Sequence, residues 1–300
     1  MLSILIPVYN FDIRNLVTEL QKQAVLTNVP FEIIVLDDVS ENRFKIVNRE
    51  IAHLDHVRYT ELLVNIGRSK IRNKLQSLAK YNYLLFMDSD AEIRSSEFIG
   101  KYIKECKGEV VVCGGMAYAS SYKQYSQKSN FDLRLKYGTR RECKTAEERN
   151  VSPNNSFMTF NFLISKSILQ NISFDESLTH YGHEDTVFGL ELKQRNIIIK
   201  HIKNPLYHLE LDSNSEFIKK ALSSVANLSS ILKRGYYYND LKQDVKLLRY
   251  YTKLEIFGLT SFVGLLHRFT HKSIERNLIE RGKNLFYFDM LRLGFLCTIK

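Results

Sequence analysis

The sequence predicts an α/β fold, a mixed and largely parallel sheet flanked by helices, followed by a helical C-terminal extension. Three observations carry that expectation. Short apolar runs rich in β-branched residues, at 2–8, 31–36, 57–62 and 83–87, have the length and composition of buried strands. Segments 15–26 and 68–78 between them repeat their apolar residues at helical spacing, which makes the connections right-handed crossovers between parallel strands. Beyond Pro205 the pattern is helical almost to the end, with helices expected at 215–233, 241–257 and 273–288, separated by a turn at Gly235 and a stretch at 258–270.

The elements between these blocks obey the same logic. Order returns after a polar tract at 120–156 with Phe157-Met158-Thr159-Phe160-Asn161-Phe162-Leu163-Ile164, a strand pattern, then a helix at 184–194 and a strand at 197–202. The polar tract carries Lys123, Lys128, Arg134, Lys136, Arg140 and Arg141 and is read as an acceptor-facing loop region. The expected division is a catalytic domain over 1–210 and a helical region over 211–300.

Bulk properties exclude several classes. The 300 residues with 44% hydrophobic content build one substantial core plus an appendage. Lysine and arginine outnumber aspartate and glutamate by 43 to 33, a formal +10, which favours phosphates, nucleic acid or acidic headgroups as partners without choosing among them. Cys106, Cys113, Cys143 and Cys297 form no metal or disulfide pattern, which fits a reducing compartment. The apolar start Met1-Leu2-Ser3-Ile4-Leu5-Ile6-Pro7 lacks a basic leader and reads as a strand, so the protein is expected to be cytoplasmic. The longest apolar candidate, 256–266, is too short to span a bilayer and suits a core or interfacial helix.

In open parallel sheets, ligands sit beyond the carboxyl ends of the strands, so the residues closing each run are read for chemistry. Leu84-Leu85-Phe86-Met87-Asp88-Ser89-Asp90 delivers two carboxylates one residue apart. In extended geometry Asp88 and Asp90 would face one hard cation; in a turn they would instead serve as caps. Val35-Leu36-Asp37-Asp38-Val39-Ser40 ends a second strand in carboxylates, suited to accept hydrogen bonds from a base or ribose, or to cap the next helix. Asn65-Ile66-Gly67-Arg68 opens a basic helix carrying Arg68 and Arg72, which fits phosphate recognition or a solvated face. Glu184 and Asp185 begin another helix, where a carboxylate serves as a base or complements the helix dipole.

No Gly-x-Gly-x-x-Gly and no Gly-x-x-x-x-Gly-Lys-Ser/Thr run occurs, which sets aside dinucleotide oxidoreductases and P-loop enzymes. A non-catalytic nucleotide- or polyanion-binding protein is the alternative, supported by the basic surplus and by Tyr236-Tyr237-Tyr238 beside Lys233-Arg234. Strand-end carboxylates would repel phosphates unless a cation intervened, so an enzyme accounts for more of the sequence.

Ser3-Ile4-Leu5-Ile6-Pro7-Val8-Tyr9-Asn10, Val35-Leu36-Asp37-Asp38-Val39-Ser40, Asn65-Ile66-Gly67-Arg68 with Arg72-Asn73, and Met87-Asp88-Ser89-Asp90 occur in the order found in family 2 glycosyltransferases of the GT-A (Rossmann-like) fold, which this chain resembles. Gly182-His183-Glu184-Asp185 extends the similarity to about residue 210. The resemblance implies an inverting, metal-dependent transfer from a nucleotide-sugar, a UDP-sugar by frequency within the family, to a hydroxyl of a glycan or lipid-linked acceptor in bacterial surface polysaccharide synthesis. It puts Pro7, Tyr9 and Asp37 near the base, with Asp38 beside them, and Arg68 and Arg72 near the nucleotide. It assigns the Asp88-Ser89-Asp90 triplet to ribose and to Mn2+ or Mg2+, Asp88 on the ribose side and Asp90 on the metal, and raises His208 as a further metal ligand. Asp185 becomes the acceptor base, with Glu184 as alternative base or acceptor-hydroxyl ligand. Val39 departs from the family pattern, which has glycine there, so the loop after Asp38 is expected to take a different path. No nucleic-acid partner is expected; the basic C-terminal helices suggest peripheral contact with the inner face of the cytoplasmic membrane.

Overall fold

The computed structural model describes residues 1–118, 130–178, 181–235, 238–282 and 284–299. In chain order the elements are β1 (Leu2–Val8), α1 (Arg14–Leu26), β2 (Phe31–Asp37), α2 (Asn42–Asn48), β3 (Val57–Glu61), α3 (Arg68–Leu78), β4 (Tyr83–Met87), β5 (Ala91–Glu92), α4 (Phe98–Glu105), β6 (Val111–Cys113), β7 (Met116–Ala117), α5 (Asp132–Tyr137), α6 (Ala146–Asn150), β8 (Asn161–Ser165), α7 (Lys166–Asn171), α8 (Glu184–Gln194), β9 (Lys200–His201), β10 (Leu206–His208), α9 (Asn214–Lys233), α10 (Tyr238–Asp244), α11 (Lys246–Ile256), α12 (Thr260–Arg281) and α13 (Leu285–Ile299). They form two compact units. A sheet unit comprises Met1–Ala117, Cys143–Ser177 and Glu184–Leu209, and a helical unit comprises Tyr118–Glu142, Leu178–His183 and Glu210–Lys300.

The sheet unit holds a seven-stranded sheet in the order β3-β2-β1-β4-β8-β6-β9. Strands β1 to β4 run parallel, as their buried apolar runs require, and β8 is antiparallel to both β4 and β6. One face packs on α1 and α4 through Ile4, Ile6, Leu20, Ile33, Val35 and Phe98, the other on α3, α7 and α8 through Leu5, Leu36, Leu75, Phe162 and Phe188. A three-stranded sheet, β5-β10-β7, adjoins the main one in sequence.

Chain order reverses between β1 and β4, which is where a ligand crevice opens in such sheets. Pro7 helps to open it. Pairing of β1 with β4 ends at Leu5 opposite Phe86, whereas pairing with β2 continues to Val8 opposite Asp37. A proline, which has no N–H to donate, is tolerated in this central strand because β4 has already parted from it.

In the helical unit, α9 begins with a capping box in which Ser213 and Glu216 satisfy each other's backbone N–H groups. Its core joins Leu133 of α5, Phe217 and Ile218 of α9, Leu278 of α12 and Phe288 and Leu291 of α13.

Several sequence expectations need correction. The strand pattern at 157–164 delivers β8 only from Asn161, and the strand expected at 197–202 shrinks to β9. Part of the polar tract at 120–156 is helical, α5, a following π turn and α6, the last with its own capping box of Thr145 and Glu148; residues 119–129 lie outside the described residues. The helix expected at 241–257 divides into α10 and α11. The supposed separator at 258–270 is mostly helix, since α12 starts at Thr260 and runs to Arg281, where Gly282 at φ +56° ends it in the left-handed conformation. The helix expected at 273–288 is therefore two helices with this glycine stop between them.

Candidate active site

The parallel strands β1, β2 and β4 bring Tyr9, Asp37-Asp38 and Asp88 to one edge of the sheet. Tyr9 is 58% exposed, a flat aromatic surface just past the end of β1, with partly buried Pro7 two residues before it. Asp37 is fully buried and spends both oxygens on its own chain: Oδ1 accepts from Ser40 N at 2.7 Å and Oδ2 from the Tyr59 hydroxyl at 2.9 Å. Asp38 does the same, accepting from Ile66 N at 2.7 Å and Gly67 N at 2.9 Å, which fixes the glycine turn that starts α3. Ser40 Oγ in turn accepts from Asn10 N at 2.8 Å. These bonds lace the three loops together, and Val39 within them has φ +69°. At Val39 the backbone takes the left-handed geometry that glycine favours, so a β-branched residue bears the strain.

Of the two geometries open to Asp88-Ser89-Asp90, the structure has the turn, in which Ser89 and Asp90 lie. The two carboxylates consequently find different partners. Asp88 Oδ1 accepts from Arg72 Nη2 at 2.8 Å, and the Arg72 guanidinium is almost wholly buried with its face 5.7 Å from the Phe174 ring centre. Asp90 instead stands 3.3 Å from His208 Nε2. Burial pushes the Asp90 carboxyl up, His208 opposes that rise, and the nearby Asp88 charge adds to it.

His208 reaches this position through β10, whose register sets it opposite Ala91 of β5, and Leu209 N donates to Asp90 O at 2.8 Å. Its ring stacks on Phe160 at 5.3 Å between centres. The loops that launch β7 and β10 are pinned by a buried polar network. Asn161 Nδ2 donates to Gly115 O at 3.2 Å and Asn204 O at 2.8 Å, while Arg149 donates to Gly114 O at 3.1 Å and Ile202 O at 3.0 Å. Arg149 also contacts His201 Nδ1 at 3.0 Å, and burial lowers that imidazole to about 4, so it stays neutral.

Across from the triplet, Arg68 Nη1 lies 3.3 Å from Glu184 Oε1, with the Arg68 side chain 54% exposed and Glu184 buried. Burial pushes the Glu184 carboxyl up, but Arg68 and Arg72 outweigh it and hold the group below its usual range. Asp185 behaves oppositely. Burial, and then the Glu184 charge beside it, push its carboxyl up to about 7, while hydrogen bonds from Thr186 pull against the rise. A carboxyl poised near neutrality at a helix start is suited to take a proton.

A cation fits part of this arrangement. Asp90 offers a hard oxygen and His208 an imidazole nitrogen, 3.3 Å apart, and a cation would relieve the negative charge that Asp90 carries beside Asp88. Among the described residues no ready-made cluster of three His, Cys, Asp or Glu exists, because Asp88 is turned to Arg72. Sequence reasoning misses Tyr59 and Phe160. Tyr59 sits in a short strand with no motif, and Phe160 in an apolar run that reads as core.

The sequence model described as "Glycosyl transferase family 2" matches residues 3–173. The chain belongs to that family. A chondroitin synthase of Pasteurella multocida (strain Pm70) is 25% identical over 241 residues, covering 70% of this chain, which spans only 25% of that relative's length. Two solved structures share the GT-A fold. TarS 1–349 of S. aureus, in complex with UDP, matches with a TM-score of 0.52 and 18% identity over 99% of this chain and 90% of its own. The mannosyltransferase PcManGT from Pyrobaculum calidifontis, in complex with GDP-Man and Mn2+, matches at TM-score 0.52 and 14% identity over 77% of this chain and 64% of its own. Among the described residues no helix is long and apolar enough to cross a membrane.

Proposed function

We propose that this glycosyltransferase moves a sugar from a nucleoside diphosphate sugar, a UDP-sugar first among the candidates, to a hydroxyl of a glycan or lipid-linked acceptor, with inversion, in the synthesis of a bacterial surface polysaccharide. The observation that carries the chemistry is the pairing of two unlike carboxyls at the start of α8: Glu184 held ionised by arginines, Asp185 raised to about 7. The chondroitin synthase similarity supports a polysaccharide product, and the UDP and GDP-Man complexes of the two structural neighbours support a nucleotide-sugar donor.

In this reading Tyr9 stacks on the base and Pro7 shapes the crevice beneath it. Asp37 and Asp38 hold the loops that frame the nucleoside, Asp88 takes the ribose side with Ser89 in the same turn, and exposed Arg68 meets the diphosphate. Arg72 holds Asp88 in place. Asp90 and His208 would hold Mn2+ or Mg2+, which supplies charge neutralisation for the departing diphosphate. Asp185 accepts the acceptor hydroxyl proton as that oxygen bonds to the anomeric carbon; the bond to the diphosphate breaks on the opposite face and its electron pair leaves with the β-phosphate. Glu184 ligates the acceptor hydroxyl or steadies Arg68.

Calorimetric titration with UDP, GDP and dTDP, each with Mn2+ and with excess chelator, tests the donor half. Binding of one nucleotide that the chelator abolishes is expected. Folded protein that binds none of the three would favour the non-catalytic alternative.

A further inference from the structure

The helical unit carries an apolar surface for which the transfer chemistry has no use. The inner side of α12 packs closely on α13, with Gly264 against Cys297 and Gly294 against His267, where an added Cβ would come within 2.5 Å of Nδ1. That contact commits one side of α12 and turns the other outward. On the outward side, and on the turn from α11, stand Ile256, Phe257, Phe262, Leu265, Leu266 and Phe269, with Phe257 72%, Phe262 64% and Phe269 80% exposed. Positions 262, 265, 266 and 269 form one helical stripe. Exposed apolar residues are ordinary when scattered; a contiguous aromatic and leucine stripe marks an interaction surface.

The charge beside the stripe is mainly basic, with Glu280, four residues beyond Arg276, an exposed acid at its far end. Lys253, Arg268, Lys272 and Arg276 are exposed, the last three following one another at four-residue intervals along a flank of α12. Residues 256–274 contain no aspartate or glutamate. Of the acids bordering this stretch, Glu255 is ion-paired to Lys242 at 3.1 Å, and Glu275 is only partly exposed. Phenylalanine and leucine on one strip with arginine and lysine beside it, in a helix that does not span a bilayer, is the chemistry of a helix lying in the membrane interface.

We propose that the α11–α12 turn and the outward side of α12 seat this protein on a bilayer bearing anionic headgroups. Phe257, Phe262 and Phe269 enter the boundary between headgroups and acyl chains, and Arg268, Lys272 and Arg276 lie at phosphate level. Charge selects this occupant over a second copy of the chain, since self-association through the same face would bring two basic flanks together. The inference is independent of the proposed donor and acceptor chemistry.

Flotation of the full chain with vesicles tests it. The protein is expected to float with phosphatidylglycerol–phosphatidylcholine vesicles, to stay behind with phosphatidylcholine alone, and to be released by salt. The double variant Phe262→Asp/Phe269→Asp should lose flotation while keeping nucleotide binding. Arg268→Glu/Lys272→Glu, which leaves the apolar stripe intact, should weaken association with anionic vesicles by about tenfold or more. Failure of the unaltered chain to float with anionic vesicles overturns the proposal, as does flotation of either variant at the level of the unaltered chain. Sedimentation showing a dimer that Phe262→Asp/Phe269→Asp dissociates, with no flotation of the unaltered chain, would assign the face to a second copy instead.

Discussion

Two sets of carboxylates line the same region of the sheet unit, and they are treated differently. Asp37 and Asp38 are enclosed by donors from their own chain, four hydrogen bonds between 2.7 and 2.9 Å, and they build the loops. Asp90 and Asp185 are only partly buried, yet both are pushed up because their surroundings supply less compensation than desolvation removes. On the proposed function, the contrast would separate acids that hold the site from acids kept for a ligand or a proton. An aspartate at the end of an element is thus read not by its position but by how fully its oxygens are already spent.

If that division is right, substitutions in the two sets should differ in kind. Asp90→Ala should reduce metal-dependent nucleotide affinity by about a hundredfold or more while leaving the fold intact, because a cation site is worth several kcal/mol; calorimetry with Mn2+ and chelator reads it. Asp38→Ala should cost about 2–3 kcal/mol by freeing two backbone donors at the start of α3, with donor affinity falling only as the loop loosens. Arg72→Ala should cost about 1–3 kcal/mol of stability in denaturant melts, since it breaks an ion pair whose arginine is buried and leaves partly exposed Asp88 without its partner. The smallest effect has the opposite sign. Val39→Gly should stabilise by about 1 kcal/mol, because a residue at φ +69° is relieved of its Cβ clash. A Val39→Gly variant less stable than the parent would mean that the loop is held by the valine side chain rather than strained by it.

Legibility in the sequence tracks the same physics. Strands β1 to β4 and helices α1, α3 and α8 are readable to within a residue or so, because buried parallel strands are continuous apolar runs and the helices between them repeat at helical spacing. Tyr9, Asp88, Asp90 and Glu184-Asp185 are readable as ends of such elements. What no run betrays is side-chain pairing across long separations: Arg72 with Asp88, His208 with Asp90, and Tyr59 with Asp37 depend on register and turns. The helical unit is the least legible part. Its helices are apolar on more than one side where α12 meets α13, so periodicity does not show where one ends, and the glycine stop at Gly282 outranks it.

The central claim is that Asp185 accepts the acceptor proton, and the pH dependence of transfer by the parent enzyme and by Asp185→Asn tests it most directly. The parent rate should climb as pH rises through about 7 and Asp185 becomes ionised. Asp185→Asn should bind donor normally, turn over about 10²–10⁴-fold more slowly and lose that inflection. Stability should move the other way: a carboxyl raised in the folded state from 3.8 favours the fold most below about pH 4 and loses that contribution as pH rises through about 7, so the asparagine variant should melt higher than the parent at pH 8. Normal turnover by Asp185→Asn, with the inflection retained, would contradict the account and move the search for the base elsewhere in the site.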